Sequence, residues 1–536
     1  MGPIFNPDIV GKWRAEALAV ENIDITEKMV DWCIAELQHK AKDFEETWSI
    51  SVYDGDVVKS DQIVPESLKQ ALKAAAAPLE QVPAREQDWR PGYHGTVLDL
   101  VHPSLFPLIY GHSKILPDSS VGLDDCISRS GEGQIIPVPF EENTPPRRAL
   151  EYETEYQYSY SFQWLPCNVE FDGNEGAVKI VSYSNKLHPK RHRDLYAVLE
   201  KLIERAIPLW NRALTPLARQ ASNIFPPPRI EYYECEYDPD PENGPETDGP
   251  QRADYETERR WQAARTAWYA ATRRVVQPEP DVFVPPTKEQ ERNGKVVDLF
   301  RDYADVGLQI IIKLENIHLT PEKPQYKGGI WRNEHICASA IYCYDSDNIT
   351  PSQLAFRQQS DTDTSDITHR KNQYGWLRAV FGCSWLKPAV QNVGKVETRE
   401  GRLLVWPNIL QHRVEPFKLA DESKPGHRKI VAMFLVDPAI KIISTANVPC
   451  QQAAWWRDAV LDELEGSSGY GGKGLAGLPQ EIKDQIFNDV DDFPISVEEA
   501  KEFRLELMEE RRKFAALQRD VFKEHEFSLS NISRSE

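Results

Sequence analysis

The sequence predicts an α+β fold: a helical N-terminal region, then a C-terminal double-stranded β-helix (a jelly roll) flanked by helices. Three observations lead there. Hydrophobic residues make up 40% of the 536, with 14 Trp, 20 Tyr and 19 Phe, so a large core divided among two to four structural units is affordable. The N-terminal region has helical periodicity, whereas the pattern becomes strand-like from residue 306. Six strand-like runs follow it, LQIIIKLENIHL, HICASAIYCYD, VQNVGKVE, RLLVWPN, HRVEPFKL and HRKIVAMFLVD, with turn signals such as Glu400-Gly401 and Lys424-Pro425-Gly426 between them.

The elements follow in chain order. Residues 24–46 predict a helix capped by Asp24 or Thr26, with Met29, Val30, Cys33, Ile34 and Leu37 on one face. Residues 65–77 predict a second, opening with Pro65 in the first turn. Residues 88–113 are apolar and rich in Pro and Gly; His94, His102 and His112 share no helical or strand face there and read as packing or surface residues. Residues 156–185 predict two or three strands, and a helix follows from Pro189. His188 and His192 stand four apart, but the zinc pattern requires a glutamate after the first histidine, and Pro189 follows instead. A helix is expected at 257–274, its stripe of Trp261, Ala264, Trp268 and Ala271 packing into the core, and 357–373 is expected to be a polar loop. Helices return at 449–464 and 497–526. Between them GSSGYGGKGLAG (466–477) reads as a flexible linker, because Gly474 stands where a phosphate loop needs Ser or Thr.

These elements divide the chain into an N-terminal helical region (1–85), an α/β region packing on the barrel (86–235), an acidic flexible insertion (236–256), a jelly-roll core (257–448) and a C-terminal helical region (449–536). A net charge of −21 opposes binding to nucleic-acid phosphate or anionic lipid. No run of about 18 apolar residues predicts a membrane span, and no secretory signal is recognised. Eight scattered cysteines without a CxxC pair argue against a zinc ribbon and point to a reducing compartment, cytoplasmic or nuclear.

The segment 403–438 carries the candidate chemistry. His412 opens one predicted strand and Arg428 the next. On antiparallel neighbours both can face one cavity, where an imidazole suits iron(II) and a guanidinium grips a carboxylate by two parallel bonds. Surface residues at strand starts are the plainer reading of the same pair. His427, beside Arg428, is expected on the opposite face.

Long stretches, among them TVLDLVHPSLFPLIYGHS (96–113), KIVSYSNKLHPKRHRDLY (179–196), ENIHLTPEKPQYKGGIW (315–331), NEHICASAIYCYDSDNIT (333–350), EGRLLVWPNILQHRVEPF (400–417) and PGHRKIVAMFLVDP (425–438), resemble a fungal family, domain-of-unknown-function family 4246. The C-terminal half of that family is similar to iron(II)/2-oxoglutarate-dependent dioxygenases, with an HxE or HxD pair, a distal histidine and an arginine. The resemblance implies Fe(II) and 2-oxoglutarate as cofactors, His412 as a metal ligand and Arg428 as the partner of the 2-oxoglutarate carboxylate.

The chain departs from the family where Trp331 is followed at once by Arg332-Asn333-Glu334-His335, and the expected HxE is missing. Three explanations compete: a gene-model error at an exon boundary, a genuine pseudoenzyme, or Glu334 and His335 serving as substitute ligands. His318 and Glu315 lie upstream as further candidates. Cofactor binding by the chain as written is therefore doubtful. Two functions result: a dioxygenase if the missing residues exist, or a catalytically inactive jelly-roll protein that binds a ligand or partner. The substrate, small molecule or protein, is not legible.

Overall fold

The computed structural model describes residues 2–21, 24–52, 57–139, 159–173, 176–222, 230–239, 249–285, 296–326, 334–360, 367–369, 374–466, 479, 481–482, 485, 487 and 494–524. Two helices pair at the N-terminus, α1 (Pro7–Leu18) and α2 (Glu27–Thr47). Thr26, not Asp24, caps α2, its hydroxyl accepting from the Met29 N–H at 3.4 Å. Helix α3 (Glu66–Glu80) starts one residue after Pro65, which sits outside the helix as its cap. The long α4 (Arg193–Gln220) buries Leu195, Leu199, Leu202, Ile203, Ala206, Trp210 and Ala213, a stripe at helical spacing that demands an apolar partner.

That partner is a nine-stranded antiparallel sheet. Its strands are β1 (Ile50–Val52), β2 (Val57–Ser60), β3 (Val97–Val101), β4 (Cys167–Phe171), β5 (Val178–Ile180), β6 (Leu308–Leu319), β7 (Ile336–Asp347), β10 (Leu403–Pro407) and β12 (Gly426–Val436). They run in the order β1-β2-β10-β7-β12-β6-β4-β5, and β3 pairs beside β4 along the same edge of β6. One face, with Ile310, Ile312 and Leu314 of β6 and Val431, Met433 and Leu435 of β12, packs on α3 and α4. A three-stranded sheet, β8 (Gln353–Gln359), β9 (Val390–Glu397) and β11 (Gln411–Val414), has β8 in the middle. Its Leu354, Phe356 and Val396 pack on Leu404 and Trp406, on the other face of the large sheet.

The expected jelly roll is not formed. No sheet closes into a barrel or curls as a double-stranded β-helix would. The six predicted strand runs are present, but strand count does not specify closure. The region before residue 185 supplies five further strands that extend both edges of the large sheet, so the edges a roll would join are already occupied.

Several local expectations also change. The run HRVEPFKL breaks into β11 and a two-residue strand, Phe417–Lys418, paired with Gln325–Tyr326. Residues 357–359 of the expected loop belong to β8. Helix α5 (Glu258–Thr272) forms, but its tryptophan stripe is only half-buried; Arg265 covers Trp261 and Arg273 covers Trp268, so cation–π contacts replace core packing. In the acidic insertion Glu236–Asp238 is a strand, while 240–248 lie outside the described residues, as do 467–478 of the expected linker. The two C-terminal helices are α6 (Ala453–Gly466) and α7 (Val497–Glu524). No helix among the described residues is long and apolar enough to cross a membrane.

Candidate functional site

The sheet face turned away from α3 and α4 carries an unusual amount of buried charge. Along β12, alternation puts Arg428, Ile430, Ala432 and Phe434 on this face. Arg428 pairs in register with Ile317 of β6 and Ser346 of β7. Its side chain is 2% exposed. Nη1 donates to Ser352 Oγ at 3.0 Å, and the guanidinium lies 5.7 Å from the centre of the Phe417 ring. Nε is buried without a hydrogen-bond partner, the buried Cys343 thiol touches the guanidinium, and no carboxylate pairs with it among the described residues. Ser352 is itself held in place: its carbonyl accepts from the Thr398 N–H at 2.8 Å and its hydroxyl from Thr398 Oγ1 at 3.2 Å.

Beside Arg428 lies a fully buried charged quartet. Lys313 and Glu315 alternate onto the same face of β6, and Asp99 of β3 stands opposite Glu315. Arg90 binds Asp99 through both Nε and Nη2 and reaches Glu315 through Nη2; Lys313 Nζ is 2.7 Å from Glu315. Burial pushes the Glu315 carboxyl up, but Arg90 and Lys313 outweigh it and hold it down to about 2. At Asp99 burial wins over Arg90 and leaves the carboxyl above the usual range. Burial and the nearby Arg90 lower the Lys313 ammonium, against the pull of Glu315. Tyr326 feels both Glu315 and Arg428, and its ring packs on Phe417 at 5.2 Å.

His412 lies on β11, opposite Phe356 of β8, and its ring rests 4.9 Å from that of Trp406 on β10. Trp406, Ser339 and Phe434 are in register across β10, β7 and β12, so the indole under His412 projects from the same sheet face as Arg428. Glu334 and His335 precede β7 in a turn rather than a strand, both with left-handed backbone, φ 65° and 52°. The Glu334 carboxylate is buried against Arg511, which lies over the Trp164 ring at 3.8 Å. His427 turns to the opposite face, as strand alternation requires, where Nε2 is 3.1 Å from Asp345. His318 is three residues from Glu315 and so faces away from it, toward His427 and Trp89.

The remaining histidines are separate. His94 is exposed, His102 is buried on Trp164, and His112 packs on Phe503. His188 Nδ1 accepts backbone N–H groups of Lys190 and Arg191 and its ring packs on Trp455, as a turn-forming residue does.

These residues do not fit an iron centre. No three His, Cys, Asp or Glu side chains group to hold a metal among the described residues, and Glu334 is engaged by Arg511. The Trp331–Arg332 junction, the place where the HxE is expected from the sequence, lies outside the described residues. Sequence reasoning missed Ser352, Tyr326, Phe417 and the partnership of Arg90 with Asp99. One signal was readable: Lys313 and Glu315 alternate inside an otherwise apolar strand, a place where charge must be paired.

Residues 27–459 match the family described as "Protein of unknown function (DUF4246)"; the chain belongs to that family. No curated protein matches it. Among solved structures it is similar to IDO from Bacillus thuringiensis at 11% identity and a TM-score of 0.17, over 27% of this chain and 52% of that one. It is also similar to the Fe(II)/(alpha)ketoglutarate-dependent dioxygenase TqaL, at 15% identity and a TM-score of 0.16, over 25% and 43%. A Pseudomonas putida prolyl-4-hydroxylase aligns at 11% identity and a TM-score of 0.13, over 24% and 51%. The chain thus spans about half the length of the structures it matches.

Proposed function

We propose that this DUF4246 member binds a small carboxylate ligand of the 2-oxoglutarate class through Arg428 and, as its sequence stands, acts as a ligand-binding protein. One observation supports the reading above all: a guanidinium 2% exposed, with a buried Nε that has no partner and no carboxylate paired to it among the described residues. A buried cation without a counter-charge is costly, and an incoming carboxylate would supply that charge in the geometry a planar fork prefers. Ser352, itself positioned by Thr398, holds the fork from one side, and the Phe417 ring flanks it. The neighbouring quartet sums to zero formal charge, so it offers Arg428 no net counter-charge.

In a dioxygenase, iron(II) would take the other end of the cosubstrate and activate dioxygen. The residues present do not fit that ion, so no chemical step is assigned through it. Titration calorimetry with 2-oxoglutarate and succinate, without metal, tests the proposal; binding that survives Arg428→Met unchanged would end it. The dioxygenase reading rests on the junction at Trp331–Arg332. Sequencing the transcript there decides it, since a restored HxE would favour the enzyme and an intact gap the binding protein.

A further inference from the structure

The end of the charged sheet face remote from Arg428 is covered by α7. Its inward stripe is Ala500, Arg504, Leu507 and Arg511, spaced to lie along one side of a helix. Ala500 and Leu507 pack with Phe503 against Ile311, Phe434 and Trp164. The two arginines, no more than 8% exposed, end on carboxylates from distant parts of the chain. Arg504 Nη1 is 2.7 Å from Asp88, and Arg511 meets Glu334. Half of the stripe that fastens this helix is therefore charged.

We propose that α7 is a releasable strap: it docks across this face through the two arginine–carboxylate locks and leaves while the sheet stays folded. A helix anchored for good gains more from apolar side chains, because a buried ion pair spends most of its attraction on desolvation. That balance is visible at the second lock. Burial, despite Arg511, raises the Glu334 carboxyl above its usual range and lowers the Arg511 guanidinium. Both receptors keep a partner when the helix departs. Asp88 retains Lys186 at 2.8 Å, and Glu334 retains the Trp164 backbone N–H at 3.2 Å.

The docking point also carries strain. Glu334 and His335 are consecutive residues with left-handed backbone, a conformation that side chains with a Cβ seldom adopt, and release of Arg511 would free the turn to relax. Departure of α7 would uncover Trp164, Phe434 and Ile311 and open a lateral path to the face that carries Arg428.

Hydrogen exchange on the full chain, resolved by peptide, tests the strap. In the unaltered protein, amides of 500–511 are expected to exchange at least about tenfold faster than those of β6 and β12, by sub-global opening. Arg511→Gln should accelerate the α7 amides by another factor of about ten and leave the strand amides unchanged. The apolar exchange Glu334→Leu with Arg511→Leu should slow α7 toward the rate of the sheet. Equal protection of α7 and the central strands in the unaltered protein would overturn the proposal. So would an Arg511→Gln variant in which helix and strands accelerate together.

Discussion

Replacing Arg428 by Met should stabilise the ligand-free protein and weaken its ligand binding together, a combination that a structural arginine does not produce. In the free protein the guanidinium is 2% exposed and lacks a carboxylate partner among the described residues. Desolvating such a group costs several kcal/mol even after relaxation. Against this stand the hydrogen bond from the charged group to Ser352, worth about 1.5–3 kcal/mol, and the Phe417 ring, worth about 0.5–2 kcal/mol, with the buried Cys343 thiol adding only a weak contact. With the desolvation cost at about 5 kcal/mol and the two contacts near the middle of their ranges, the remainder is a net cost of about 1–2 kcal/mol, which methionine, of similar length and apolar, avoids. Unfolding entropy scales with length, so for a chain this long 1 kcal/mol moves the melting temperature by only about 1 °C. Chemical denaturation is therefore the better assay. The Arg428→Met variant also loses the charge-assisted fork to the ligand; a loss of about 2–3 kcal/mol weakens binding by roughly 30- to 150-fold. Calorimetry with 2-oxoglutarate reads the second effect. If Arg428→Met lowers the stability of the free protein by several kcal/mol and the unaltered chain takes up no dicarboxylate, Arg428 is a packing residue and the reasoning fails.

The other outcomes follow from the same groups. Arg90→Met should cost about 3–5 kcal/mol in urea denaturation, since it leaves Asp99 and Glu315 buried with only Lys313 for company. Stability should fall on acidification below about pH 6.5, the ordinary histidine value. Burial, with help from Arg191, lowers His188 to about 4, and burial also lowers His102, His192 and His318. Each folded-state pKa is depressed, so the contribution present above 6.5 is lost as pH falls, for His188 through about 4. A denaturation midpoint that stays level from about pH 7 to about pH 4 would contradict this. Anaerobic titration with iron(II) should show no one-to-one binding at micromolar or tighter affinity, because His412 has no grouped co-ligands among the described residues.

Much of the secondary structure was legible because its signals are local. The strand LQIIIKLENIHL is β6 residue for residue, and Thr26 capped the helix that its position foretold. Strand alternation also separated His427 from Arg428 correctly. Where local pattern met long-range packing the reading failed. His335 opened a predicted strand run, yet it sits in a turn with Glu334, which a partner 177 positions away holds in place. The tryptophan stripe of α5 had the spacing of a core helix, but Trp261 and Trp268 are only half-buried and lie under Arg265 and Arg273.

The amino-acid order by itself determined the helices α2 to α7 and the strands β6, β7, β9, β10 and β12, that His412 and Arg428 stand at strand starts, and that charge sits inside β6. It could not determine that the strands form an open nine-stranded sheet rather than a roll. Alternation says which face of a strand is apolar but not which edge a neighbour takes, and that choice is made by segments hundreds of residues apart. Tertiary structure alone gave Glu315 its partner Arg90, 225 positions away, and left Arg428 without a carboxylate among the described residues. Pairing of buried charges depends on which chain segments meet in space, and sequence spacing carries no record of that.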